Sequence, residues 1–163
     1  MIQRNILIIH WAWLSTPVKS AQVQALQAVV RKPVIYHFFK HDKPDREQAF
    51  LMWHKHDLGH NVKHLVGGWL VCVQEERLVD HAVRLETVSF SLYNQEVYLS
   101  FTQALFKKDD SILKKWQLTE SLLKTLRDAG IDIRAISLLV DHQPMSDEHL
   151  DFSQSWPLEG FVK

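Results

Sequence analysis

From residue 83 to residue 161 the chain reads as two adjoining strands, one amphipathic helix, a third strand and a closing phrase, Leu150-Asp151-Phe152-Ser153-Gln154-Ser155-Trp156-Pro157-Leu158. This ββαβ order constrains the fold more than any other feature. The two strand patterns, 83–92 and 95–103, are separated by Tyr93-Asn94. Asn tolerates the positive φ that a tight hairpin turn requires. Val97, Leu99 and Phe101 alternate with Glu96, Tyr98 and Ser100, as expected of a sheet with unlike faces. Asp109, Asp110 and Ser111 supply capping groups for a helix to Ala129, with Ile112, Trp116, Leu123 and Leu126 as its apolar stripe and Gly130 as its stop. Residues 131–140 give the last strand.

Upstream, Ser20 reads as the cap of a short helix over residues 21–31, which Pro33 ends. Residues 34–40, Val-Ile-Tyr-His-Phe-Phe-Lys, are aromatic and β-branched and read as a strand. A loop around Pro44 comes next, and residues 46–53 read as a short helix. A longer helix is expected over residues 58–79, with Leu58, Val62, Leu65, Trp69, Cys72 and Val73 on its buried side. Gly67 and Gly68 sit within it at about 1 kcal/mol each relative to Ala. Either the helix breaks there or another element approaches closely.

The expected architecture is therefore α+β. A β-α-β-β-α-β core runs from Val34 to Val140, its sheet mainly antiparallel with helices packed on one face. Residues 1–33 form an N-terminal extension, with an apolar run and a short helix, and residues 34–163 the domain proper. A chain of 163 residues can bury an adequate core as one domain. Cys72 is the single cysteine, which excludes an internal disulfide and a cysteine-based zinc site and reads as a buried thiol. Nineteen acids balance nineteen bases, so net charge gives no case for nucleic acid as a partner. The apolar run from Ile6 to Leu14 is far shorter than the roughly 20 residues of a membrane-spanning helix. It reads as a packed element or as an export signal, which leaves membrane association open.

The order and the local phrases resemble the GerMN-type domain, a bacterial cell-envelope module of sporulation and germination proteins. The phrases that carry the resemblance are Val97-Tyr98-Leu99-Ser100-Phe101 at the end of the strand pair, the helix around Glu120-Ser121-Leu122-Leu123-Lys124-Thr125-Leu126, the strand 136–141 and the closing Leu150–Leu158 segment. The resemblance spans about residues 34 to 161 and is best from Val83 onward. The chain departs from it at Gly67-Gly68-Trp69-Leu70, where the family has a Gly-Pro after its first long helix, and in the N-terminal third. The resemblance implies a non-enzymatic assembly role, with a protein partner or self-association, no cofactor and no catalytic residues. It also implies a cell-envelope location, against a cytoplasmic one if residues 6–14 belong to the folded domain.

Histidines provide the main alternative. His54, His56, His60 and His64 fall close together, with His37 and His41 nearby. His56, His60 and His64 would line one helical face, yet all three cannot share a zinc ion, because eight residues rise about 12 Å and Zn–N bonds are about 2.0–2.1 Å. The candidate metal ligands are thus His60 and His64, completed by Asp57, His142, Asp147 or His149. No His-Glu-x-x-His motif is present, and Lys63 adjoins the pair. Asp141-His142 and Asp147-Glu148-His149 read as polar loop, Glu75-Glu76 as a solvated helix end, and Lys107-Lys108 with Lys114-Lys115 as a solvated face. Trp69 and Trp116 are expected in the core, whereas Trp156 is a candidate interface anchor. The functional alternatives to an assembly module are a metal-dependent hydrolase built on His56, His60 and His64, or a small-molecule binder with its pocket near Gly67-Gly68.

Overall fold

The structure is a computed structural model that describes residues 29–92 and 95–160. The chain opens with a long hairpin, β1 (Val29–Lys40) and β2 (Lys43–His54), paired antiparallel from Val29↔His54 to Lys40↔Lys43. Its tip is His41-Asp42, with φ of 48° and 60°. Two successive positive φ values suit a two-residue turn whose twist matches that of the strands. Helix α1 (Leu58–Glu75) is next, then β3 (Leu85–Phe90), β4 (Glu96–Phe101), helix α2 (Ile112–Asp128) and β5 (Ala135–Val140). Two short strands, β6 (Gln143–Pro144) and β7 (Trp156–Pro157), complete the order.

β1 and β2 form one sheet, and β3-β4-β5-β6 the other, with β7 also pairing β5. All pairs are antiparallel except β4–β5, which α2 connects. The class is α+β as expected, and between Val34 and Val140 the β-α-β-β-α-β order is present with one additional strand, β2. That strand is a correction: residues 46–53 are not a helix but most of β2. Its residues find a complete ladder on β1, and such a tertiary partner overrides a weak local preference. Val29, Val30 and Arg31 likewise belong to β1, not to a helix ending at Arg31, and Pro33 lies within that strand. The remainder of the expected N-terminal helix, and the run 6–14, lie outside the described residues.

α1 packs on β1, β2 and β3, α2 packs on β1, and the helices touch each other. The indole Nε1 of Trp69 donates to Ser121 Oγ at 3.1 Å and ties the helices together. α1 is capped by Asp57, whose carboxylate accepts from the His60 N–H at 2.8 Å. α1 ends at Glu75, short of the expected Val79, and Leu58 on its first turn is exposed rather than part of the buried stripe. α1 continues unbroken through Gly67-Gly68, and β1 approaches it closely at Gly68. A Cβ on Gly68 would stand 2.1 Å from the Tyr36 hydroxyl oxygen.

On α2, Leu123 and Leu126 are buried, but Ile112 and Trp116 are exposed, which corrects the expected stripe. The buried side of α2 instead runs through Lys115, Leu118, Thr119 and Leu122. The last core strand starts at Ala135, since residues 131–134 form the approach to it.

Candidate functional site

Three regions place polar or apolar groups where a simple core-and-surface division would not: the outer edge of β2, a groove beside α1, and a buried charge cluster on α2.

Thr125 Oγ1 accepts from the His37 N–H at 2.9 Å, so α2 covers the edge of β1 that β2 does not pair. The His37 ring reinforces this contact through Nε2 to Asp128 Oδ2 at 2.6 Å. The outer edge of β2 pairs with no strand among the described residues. Along β2, Ala49, Leu51 and Trp53 turn inward while Phe50 and Met52 are 53% and 60% exposed. The Arg31 guanidinium lies over the Phe50 ring, 4.2 Å from its centroid. The result is an open strand edge beside an exposed apolar pair.

The groove has a volume of about 600 Å³ and runs along α1 between Leu51 and Tyr36 of the hairpin and, opposite, residues 81–84 ahead of β3 with Leu85 at its start. Its floor is apolar: Leu51, Leu70, Val83 and Leu85. Lys63, His64, His81 and Arg84 also line it, and no Asp or Glu does. Gly67 opens onto it, and a Cβ there would meet nothing within 4 Å. At the back of the groove, burial raises the Tyr36 hydroxyl above the usual tyrosine range, helped by nearby Cys72 and Glu47. Burial, together with Glu47 and Glu75, pushes the Cys72 thiol up to about 11.

The third feature is Lys115, fully buried, with Nζ 2.6 Å from Asp147 Oδ2 and 3.2 Å from His149 Nδ1. Asp147 Oδ1 accepts from the N–H groups of His149 and Leu150. Burial raises the Asp147 carboxyl, but the Lys115 ammonium and these two N–H groups outweigh it and hold it below the usual range. Two of the residues considered as metal ligands, Asp147 and His149, are thus engaged with a lysine. Periodicity gives no hint of this cluster, because a lysine at a core position looks like a gap in the apolar stripe.

Other histidines are placed apart from that cluster. The rings of His54, His60 and His64 adjoin in series, the first pair edge-to-face and the second tilted, with centroids 4.3 Å and 4.1 Å apart. His56 precedes Asp57, the cap, so it does not extend a helical face with His60 and His64. Asp57 is occupied in capping, and His142 stands with Asp141 in the turn between β5 and β6, where φ is 63° and 48°. No group of three or more His, Cys, Asp or Glu residues able to hold a metal occurs among the described residues. Glu76 pairs with Lys40 at 2.8 Å, and Lys114 with Asp110 at 2.5 Å. Trp156 is 6% exposed, stacks on Phe152 at 5.2 Å and donates to the Asp151 carbonyl at 2.9 Å, so most of its ring lies in the core.

The sequence matches no family profile and no curated protein sequence. Among solved structures, the chain is similar to a candidate lipoprotein from Clostridium perfringens, with a TM-score of 0.52 and 14% identity over 82% of this chain and 91% of that one. It is also similar to the tandem GerMN domains of the sporulation protein GerM from Bacillus subtilis, with a TM-score of 0.49 and 18% identity over 81% of this chain and 46% of that one. No helix among the described residues is long and apolar enough to cross a membrane.

Proposed function

We propose that the chain is a non-enzymatic interaction module of GerMN type in a bacterial cell envelope, and that it binds a protein partner, a second copy of itself being the simplest, along β2. The observation that carries this reading is the open edge of β2 beside exposed Phe50 and Met52. Unpaired N–H and C=O groups on a strand edge are a ready template for another strand, and adjacent apolar side chains supply the burial that makes pairing persist. The quoted sequence phrases support the GerMN assignment, and the fold shared with a candidate lipoprotein supports the envelope location.

Light scattering over a wide concentration range tests the reading. Wild type is expected to associate reversibly, and Phe50→Glu with Met52→Lys to remain monomeric with an unchanged circular dichroism spectrum. Association that survives the double substitution excludes β2 as the contact.

A further inference from the structure

The groove beside α1 combines three properties that the assembly reading does not use. Its floor is apolar, its charged lining is entirely basic in a chain of zero net charge, and its volume of about 600 Å³ falls within the roughly 300–1,000 Å³ of small-molecule sites. Neither the Arg84 guanidinium nor the His81 ring has a hydrogen-bond or ion-pair partner among the described residues. Lys63 Nζ reaches only the Glu86 carbonyl, at 3.5 Å. These donors therefore line an apolar groove with their hydrogen-bonding capacity largely unspent on the protein.

The two glycines of α1 sharpen the point. Gly68 has a packing reason, since the Tyr36 side chain occupies the space of its Cβ. Gly67 has none: the space beside it is open, although glycine within a helix costs about 1 kcal/mol relative to Ala. A bare helix surface at that position serves an occupant of the groove rather than the protein's own packing.

We propose that the groove binds a single-chain amphiphile with a carboxylate head, of the fatty-acid class. Its hydrocarbon chain lies against Leu51, Leu70, Val83 and Leu85 and passes over Gly67. Its head meets the basic lining, where Arg84 offers a planar pair of donors matched to a carboxylate and Lys63 adds a point charge. An acidic peptide is less well served, because only Leu51 and Leu85 of the floor lie on strands and most of a buried peptide backbone would go unpaired.

Calorimetric titration of the full chain with dodecanoate, below its micelle concentration, is the test. Saturable binding of one dodecanoate is expected, with dodecanol binding at least about tenfold more weakly because it lacks the charge. Gly67→Leu projects a side chain into the groove from a position where a Cβ meets nothing within 4 Å, and is expected to abolish binding while the protein stays folded. Lys63→Glu with Arg84→Glu is expected to weaken dodecanoate at least about tenfold and to leave dodecanol unaffected. Absence of dodecanoate binding overturns the proposal, as does binding indifferent to Gly67→Leu. Equal affinity for dodecanol removes the head-group recognition and overturns it as well. Attachment to phosphatidylglycerol vesicles that is lost on charge reversal but not in Gly67→Leu assigns the basic lining to a membrane surface instead. The outcome is independent of self-association along β2, so the two readings fail separately.

Discussion

The Lys115 ammonium, with no exposure to solvent, lies 2.6 Å from Asp147 Oδ2 and joins the middle of the molecule to the segment after β6. Removing one member of a buried pair strands the other charge, at about 3–5 kcal/mol, whereas replacing both with apolar groups is often neutral. Asp147→Ala is therefore expected to lose about 3–5 kcal/mol in urea denaturation. Lys115→Met with Asp147→Leu is expected to recover most of that loss. A double variant as unstable as Asp147→Ala would show that the pair is not coupled.

The same carboxyl sets an acid limit. Because its folded value is held below the usual range, its contribution is present above the unfolded value of about 3.9 and is lost as pH falls through the lower folded value. The stability difference between wild type and Asp147→Ala should hold steady from neutral pH down to about 5 and shrink below about 4. A difference that grows on acidification would reverse the sign assigned to Asp147.

How far these features were legible depends on where their partners lie in the chain. β4, α2 and β5 are readable from local pattern, because Val97, Leu99 and Phe101 alternate and Ser111 caps the helix that begins at Ile112. β2 is not, since Glu47, Gln48, Ala49 and Leu51 favour a helix and the strand is imposed by the ladder to β1. Trp116 was the natural apolar choice for the buried face of α2, but the helix is phased one residue earlier, on Lys115. Its partner Asp147 lies 32 positions further on, beyond the reach of any helical periodicity. The groove is hidden for a similar reason: its basic residues come from α1 and the approach to β3, and its floor from those elements, β2 and the start of β3. The close approach at Gly67-Gly68 was one of two open readings, and Tyr36 decides it.

Adjacent glycines on α1 should respond to alanine with opposite signs. At Gly68 the new Cβ would stand 2.1 Å from the Tyr36 oxygen and 2.4 Å from its ring carbon, and that buried ring cannot swing aside cheaply. Overpacking of this kind costs about 1–3 kcal/mol, more than the helical gain of about 1. At Gly67 nothing opposes the gain. Thermal denaturation is expected to show Gly67→Ala more stable than wild type and Gly68→Ala less stable, with Tyr36→Leu restoring part of the loss in the latter. Two glycines that behave alike would mean that the contact between β1 and α1 does not form.

Cys72 should be inert in the folded protein. Burial comes first among the causes that raise its thiol to about 11, followed by the negative charges of Glu47 and Glu75; its Sγ donates to Glu47 Oε2 at 3.8 Å. The thiolate is the reactive form, so at pH 8 a folded Cys72 presents almost none, while an unfolded one at about 8.5 presents a substantial fraction. A thiol reagent at pH 8 is expected to label the native protein only slowly and the urea-unfolded protein rapidly. Linkage gives the matching stability trend: with the folded value raised, the contribution of Cys72 is complete below about 8.5 and is lost as pH rises through about 11. Cys72→Ala, which removes the titrating group, should therefore flatten the fall in stability between those values. Rapid labelling of the native protein at pH 8 would place Cys72 at an opening surface rather than behind Tyr36 and Glu47.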